Sequence, residues 1–195
     1  MPRALTEKEK CNQCERLLEK GKTAVLSSGI KKVSVDDITK AAGMAKGLFY
    51  QHFQSKDEYL LRLIWHVHEQ FFSQAEQMIL NHKNLQTDTR SFFINLFNMP
   101  ELIFFIKNHQ DISLLMDSLP LNEVKAVEQK ELNMYEEMLR LAGINTEKVK
   151  PGVVHNYLHT LYMMMSSDLM VKRDLQETFD SMIDGLVSYI FRGAI

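Results

Sequence analysis

Apolar positions along this chain recur at steps of three and four rather than two. From Leu60 they run through Ile64, Val67, Phe71, Ala75 and Met78, one stripe of an amphipathic helix. The stripe begins behind Ser55-Lys56-Asp57-Glu58, which has the form of a capping box, and continues to about His82. At ~1.5 Å per residue this predicts a rod of about 40 Å. Two further capping-box forms stand upstream. Thr6-Glu7-Lys8-Glu9 opens a helix that carries Leu17, Leu18, Ala24, Val25 and Leu26 and stops at Gly29. Ser34-Val35-Asp36-Asp37 opens a short one that ends at Ala41-Ala42-Gly43, where glycine permits a positive φ. Another short run, Ala45 to Phe53, follows at once.

Beyond the rod, turn residues divide the chain into helical runs at about Asp88–Met99, Glu101–Asn108, Asp111–Ser118, Leu121–Ala142 closed by Gly143, Pro151–Lys172 and Leu175–Phe191. Pro100, Pro120 and Pro151 fall where a first helical turn tolerates proline. No β-alternation, internal repeat or low-complexity tract interrupts the pattern. The expected fold is all-α with about nine helices. Residues 1–54 are expected to form an N-terminal three-helix domain, and residues 55–195 a C-terminal helical bundle.

The two short helices around Gly43 have the proportions of a helix-turn-helix, with Ile38, Ala42, Met44, Phe49 and Phe53 turned inward. Residues 33–60 carry more than proportions. Ile38, Ala42-Gly43, Lys46-Gly47, Phe49-Tyr50, His52-Phe53 and Ser55-Lys56 stand in an order and spacing that closely resembles the DNA-binding region of the TetR family of bacterial transcriptional regulators. The residue-level resemblance covers about 50 N-terminal residues, while length and helix order agree with the family over the whole chain.

That resemblance implies a homodimer that binds a palindromic double-stranded DNA operator and represses until a small-molecule effector enters the C-terminal body. It places Ser34, Ala45, Lys46, Gly47, Tyr50, Gln51, His52 and Lys56 at the DNA. Lysine can donate to guanine acceptors and glutamine can pair with adenine in the major groove, so Lys46 and Gln51 are the expected readers. Gly47 allows close backbone approach, and by similarity Tyr50, His52 and Lys56 hold phosphates. The family commonly has Ser or Thr where Ala45 and Leu48 stand, and Ala where Thr39 stands. The two missing hydroxyls imply an altered operator or a weaker backbone grip.

Composition adds limits. The 195 residues include 23 Lys and Arg against 25 Asp and Glu, a net charge of −2. Residues 1–58 hold 11 basic and 8 acidic groups, leaving 12 and 17 for the rest, so a mildly basic head sits on an acidic body. The chain opens Met1-Pro2-Arg3 without an apolar leader core, and its greasiest stretch, Leu158–Val171, is too short and too interrupted to cross a bilayer. A cytoplasmic protein without membrane contact is expected.

The body is rich in large, soft side chains. Trp65, Phe93, Phe97, Phe105, Met116, Tyr135, Met138, His159 and Tyr162 are candidates for an effector cavity, although any helical core uses such residues. Tyr157, Leu161 and Met165, then Phe179, Ile183, Leu186 and Ile190, recur at helical steps on the last two helices. Two such helices from each chain would form a four-helix dimer interface, with an intramolecular core as the alternative. Cys11-Asn-Gln-Cys14 has i, i+3 spacing but no second pair to complete a zinc site, and His155 with His159 has no carboxylate at metal-ligand spacing. No phosphate-binding glycine loop or G-x-S-x-G occurs, and His68-Glu69 is followed by Phe72 where a zincin needs His. No catalytic residue, metal or cofactor is expected. The rival readings are a helical ligand sensor, or a thiol or metal sensor using Cys11, Cys14, His155 and His159, without DNA binding, and a transcriptional activator of the same fold.

Overall fold

The computed structural model describes residues 6–192; Met1-Pro2-Arg3, read above for the leader, lies outside them. Ten α-helices, one 3₁₀ turn at 172–174 and no strand occur among the described residues. They are α1 (Glu7–Ser28), α2 (Val35–Ala42), α3 (Lys46–His52), α4 (Lys56–Asn81), α5 (Leu85–Phe97), α6 (Pro100–Lys107), α7 (His109–Asp117), α8 (Leu121–Leu141), α9 (Pro151–Ser166) and α10 (Leu175–Phe191). No helix among them is long and apolar enough to cross a membrane.

By their packing the residues form two compact units, one from the N-terminus to His68 with 110–118, the other of 69–109 and 119 onward. The division therefore falls inside α4, not at its start, and α7 joins the first unit. In that unit α7 contributes Asp111, whose carboxylate lies 2.6 Å from Lys31 Nζ.

The first unit is built on local signals that agree with one another. Thr6 and Ser34 each accept from the backbone N–H three residues on, while Glu9 and Asp37 reach back, so α1 and α2 both begin with a closed capping box. Leu17, Val25, Val33, Ile38, Phe49 and Tyr59 form a fully buried core. Tyr59 is its centre. Its ring meets Phe53 edge-on at 5.2 Å and Phe49 at 5.6 Å, and its hydroxyl donates to the Leu17 carbonyl at 3.1 Å. Burial pushes its phenol well above the ordinary range, so the group stays a donor. Gly21 makes this closeness feasible, because a Cβ there would lie 2.5 Å from the Tyr59 hydroxyl and 2.7 Å from Ile38 Cγ2.

In the second unit α5, α9 and α10 surround a core of Phe93, Phe97, Leu158, Leu161, Phe179, Ile183, Leu186 and Ile190. Phe97 meets Phe179 edge-on at 5.0 Å. Two boundaries differ from the sequence expectation by three residues or more. The helix expected from Asp88 begins at Leu85, because Asn84 caps it by accepting from Thr87 N–H, while the Asp88 carboxylate accepts from the amides of Lys83 and Asn84. The run expected to reach Lys172 stops at Ser166. Ser167 turns extended, its hydroxyl accepts from Leu169 N–H, and its carbonyl accepts from Lys172 Nζ at 2.7 Å.

Candidate nucleic-acid interface

Gly43 sets the geometry of the α2–α3 corner. It sits at φ 61°, ψ 41°, the left-handed region that closes a helix, and its N–H bonds back to the end of α2. Met44 N–H then donates to the Thr39 carbonyl at 2.9 Å, and Arg16 Nε donates from α1 to the Ala42 carbonyl at 2.9 Å. With its first helix pinned at both ends, the corner presents α3 with Phe49 fully buried and the opposite side open.

On that open side Ala45, Lys46, Gly47, Tyr50 and Gln51 are all exposed, Tyr50 by 53%. Its ring meets the buried Phe49 ring edge-on at 5.3 Å, yet the residue stays largely open. Gly47 is equally informative: a Cβ added there meets nothing within 4 Å. Nothing inside the chain asks for glycine at 47. Ala45 gives α3 no side-chain cap, as expected from the missing hydroxyl.

The remaining candidates are engaged. The Ser34 hydroxyl donates to Asp37 at 2.6 Å, within the α2 capping box. Lys46 Nζ lies 3.0 Å from Asp36, a pairing between two exposed groups that holds the lysine pKa above its usual value. His52 Nε2 lies 3.2 Å from Gln13 Oε1, and burial together with nearby Lys10 holds the imidazole below its usual pKa, favouring the neutral ring. Lys56, expected on phosphate, points its ammonium at the carbonyls of Ile30, Lys31 and Val33, at 3.2, 3.2 and 3.3 Å. All three of its protons have an acceptor, so in the free chain it clamps the α1–α2 loop. Asp36, Gln13, Arg16 and Asp111 were not singled out in the sequence, because their partners lie far away along the chain.

The second unit holds an apolar cavity of about 70 Å³. Its wall includes Phe71, Phe72, Ala75 and Met78 of α4, Phe92 and Phe93 of α5, and Tyr135 and Met138 of α8. Of the expected effector contacts, Phe93, Tyr135 and Met138 line it. Phe97 packs on Phe179; Phe105 is buried, its carbonyl accepting from the Tyr162 hydroxyl at 3.0 Å; His159 is exposed and stacks on His155. Trp65 and Met116 belong to the first unit. Tyr135 is one of two polar side chains in the wall, with Thr89, and its edge meets His155 at 5.9 Å. His155 in turn lies 3.2 Å from Glu131, which raises its pKa, while partial desolvation of the ring, with the charge of His155 beside it, lowers that of His159 although much of the residue is exposed. Among the described residues no group of three or more His, Cys, Asp or Glu is placed to hold a metal.

The expected dimer stripe needs correction. Leu161, Phe179, Ile183, Leu186 and Ile190 are buried within the single chain at 0–5% exposure and face its own core. Helical spacing marks a buried face without saying which chain buries it. Tyr157 and Met165 remain half-exposed, and the outward apolar side chains nearby are Met163, Leu169, Met170 and Val171.

Residues 18–63 match the family model described as bacterial regulatory proteins, tetR family. The HTH-type transcriptional regulator YwcC of Bacillus subtilis is 44% identical over 50 residues, which is 26% of this chain and 22% of that protein. The HTH-type transcriptional repressor DhaR of Mycobacterium sp. is 37% identical over 65 residues, 33% of this chain and 31% of that protein. The matched segments thus span less than a third of either curated relative. A crystal structure of a TetR-family transcriptional regulator from Pectobacterium atrosepticum shares the fold, with a TM-score of 0.64 at 13% identity over 93% of this chain and 94% of that one.

Proposed function

We propose, from the premise that this chain belongs through residues 18–63 to the TetR family of bacterial regulatory proteins, that it is a ligand-responsive transcriptional repressor acting as a homodimer on a palindromic operator. The observation that carries the reading is the outward face of α3, where Lys46, Gly47, Tyr50 and Gln51 are exposed and nothing in the chain itself requires glycine at 47. A helix so presented fits the major groove, with Lys46 and Gln51 on base edges and Tyr50, His52 and Ser34 along the backbone. Lys56 acts through the 30–33 loop. One helix of 7 residues reads few bases, so two copies about 34 Å apart on one DNA face supply the specificity. Apolar exposure at Met163, Leu169 and Val171 supports subunit contact at the outer end of α9.

The effector is an apolar or amphipathic small molecule. The cavity of about 70 Å³ is far below the roughly 300–1,000 Å³ that drug-sized ligands occupy, so entry must spread its wall. Four of the wall residues named above lie on α4, whose first turn carries Lys56. A ligand that favours the spread state therefore biases the helix on which the reading unit is mounted.

The test is selection of bound duplexes from a random pool, followed by titration at several salt concentrations. A repressor of this kind selects an inverted repeat and binds with a steep inverse dependence on salt. Gln51→Ala should relax preference at one base position by about 1–3 kcal/mol, whereas Tyr50→Ala weakens binding to every sequence alike. Recovery of no enriched duplex, or binding insensitive to salt, would sink the reading and favour a sensor without DNA binding.

A further inference from the structure

Cys11 and Cys14 take no part in the groove-reading face or the cavity. Both are free thiols, Cys11 exposed and Cys14 half-buried, three residues apart on α1. Helix geometry sets their Cα atoms about 5 Å apart, inside the range of about 4.4–6.8 Å that disulfides span. Their Cβ atoms, at about 5–6 Å, must close to about 3.8 Å. A bridge is therefore within reach, but only if the turn 11–14 tightens.

That turn and the next one hold the whole reading unit. Gln13, between the two cysteines, meets His52 at the last position of α3. Arg16 donates to the carbonyl of Ala42, the last residue of α2. The Leu17 carbonyl accepts from Tyr59 in the first turn of α4. Three successive helices are thus anchored on residues 13–17, and the bridge would be made across the residue that anchors α3.

We propose that Cys11 and Cys14 form a thiol–disulfide site, oxidised by low-molecular-weight disulfides, whose closure releases the hold of α1 on α3 and lowers DNA affinity. Exposed Cys11 attacks as its thiolate, forming a mixed disulfide and expelling one small thiolate. Cys14 then loses its proton to solvent and attacks the Cys11 sulfur, expelling the second small thiolate. Two protein thiols are oxidised and one small disulfide is reduced to two thiols. Burial holds the Cys14 thiol above its usual pKa and the Arg62 guanidinium offsets this only in part, so Cys14 resolves the mixed disulfide rather than starting the reaction. The consequence for DNA rests on the repressor reading; the thiol chemistry does not.

The full-length protein is incubated with glutathione disulfide or with dithiothreitol. Free thiols are counted by mass after alkylation, amide exchange is followed over 35–52, and affinity is measured for a duplex selected by the reduced protein. The expected result is an intramolecular bridge lighter by two hydrogens, faster exchange in α2 and α3, and about tenfold weaker binding, as loss of one anchoring bond would give. Dithiothreitol reverses all three, and Cys11→Ser/Cys14→Ser binds like the reduced protein in either medium. Thiols that stay free, a persistent glutathione adduct, disulfide-linked chain pairs, or a bridge that leaves amide exchange unchanged each overturn the proposal. If the reduced protein selects no duplex, the repressor reading fails by that alone, and thiol count and amide exchange still decide the thiol site.

Discussion

Gly21→Ala should destabilise the first unit, although it replaces the poorer helix former by the better one in the middle of a helix. On propensity alone the change stabilises α1 by about 0.8–1 kcal/mol. The new methyl, however, would stand 2.5 Å from the Tyr59 hydroxyl and 2.7 Å from Ile38 Cγ2, and both side chains are fully buried with no room to retreat. Forcing a methyl into such a contact costs about 1–3 kcal/mol, and turning the Tyr59 hydroxyl away from the Leu17 carbonyl leaves buried polar groups unpaired for about 1–3 kcal/mol more. The expected net loss is about 1–5 kcal/mol. Urea unfolding, followed by amide exchange in α1–α3, measures it directly. A second arm isolates the cause: Tyr59→Phe costs about 1 kcal/mol alone and less in the Gly21→Ala background, since it removes the atom in closest conflict. A Gly21→Ala protein as stable as its parent, or more so, would falsify the packing account of Gly21.

Asp36→Asn frees Lys46 and removes a negative charge beside the proposed reading face, so DNA binding at low salt should tighten several-fold, with a steeper salt slope in the same titration. Lys56→Met distinguishes clamp from phosphate contact: as a clamp it lowers the urea midpoint of the first unit and leaves the salt slope unchanged, whereas a phosphate contact would reduce that slope by about one. The His155 pKa is raised by Glu131, so this pair stabilises the second unit below the unfolded histidine pKa and the stabilisation fades as pH rises through the folded one. Proton NMR titration should therefore place His155 above free histidine and His159 below it, and Glu131→Gln should bring His155 down.

The parts of the fold that could be read from the chain are those decided by neighbours in sequence. Thr6, Ser34 and Gly43 fix helix ends through bonds spanning three or four residues, so their roles survive into the structure unchanged. Asn84 and Asp88 both serve the start of α5, one capping the amide of Thr87 and the other reaching back to the amides of Lys83 and Asn84, so the pattern alone does not choose between them. Leu169–Val171 continues an apolar run yet leaves the helix, since Ser167 offers the backbone a competing turn. Leu161, Ile183 and Leu186 carry the periodicity of a buried face, and only the packed chain tells that their partner is the chain itself. Phe97 and Phe105 are indistinguishable in sequence from Phe93, although Phe93 alone of the three lines the cavity. Lys56, Gly21 and Asp36 act on residues that no local pattern connects to them.

The open side of α3 has one more consequence. Because Gly47 has empty space beside it, Gln51 is exposed and Tyr50 touches the core only through the edge of Phe49, those positions carry little of the architecture's stability. If α3 reads DNA as proposed, mutational drift there changes the sequence it selects with little loosening of the scaffold beneath. A regulator built this way can acquire new target genes by changes that folding does not oppose, and a combinatorial library at 47, 50 and 51 should yield mostly folded proteins with diverse binding preferences.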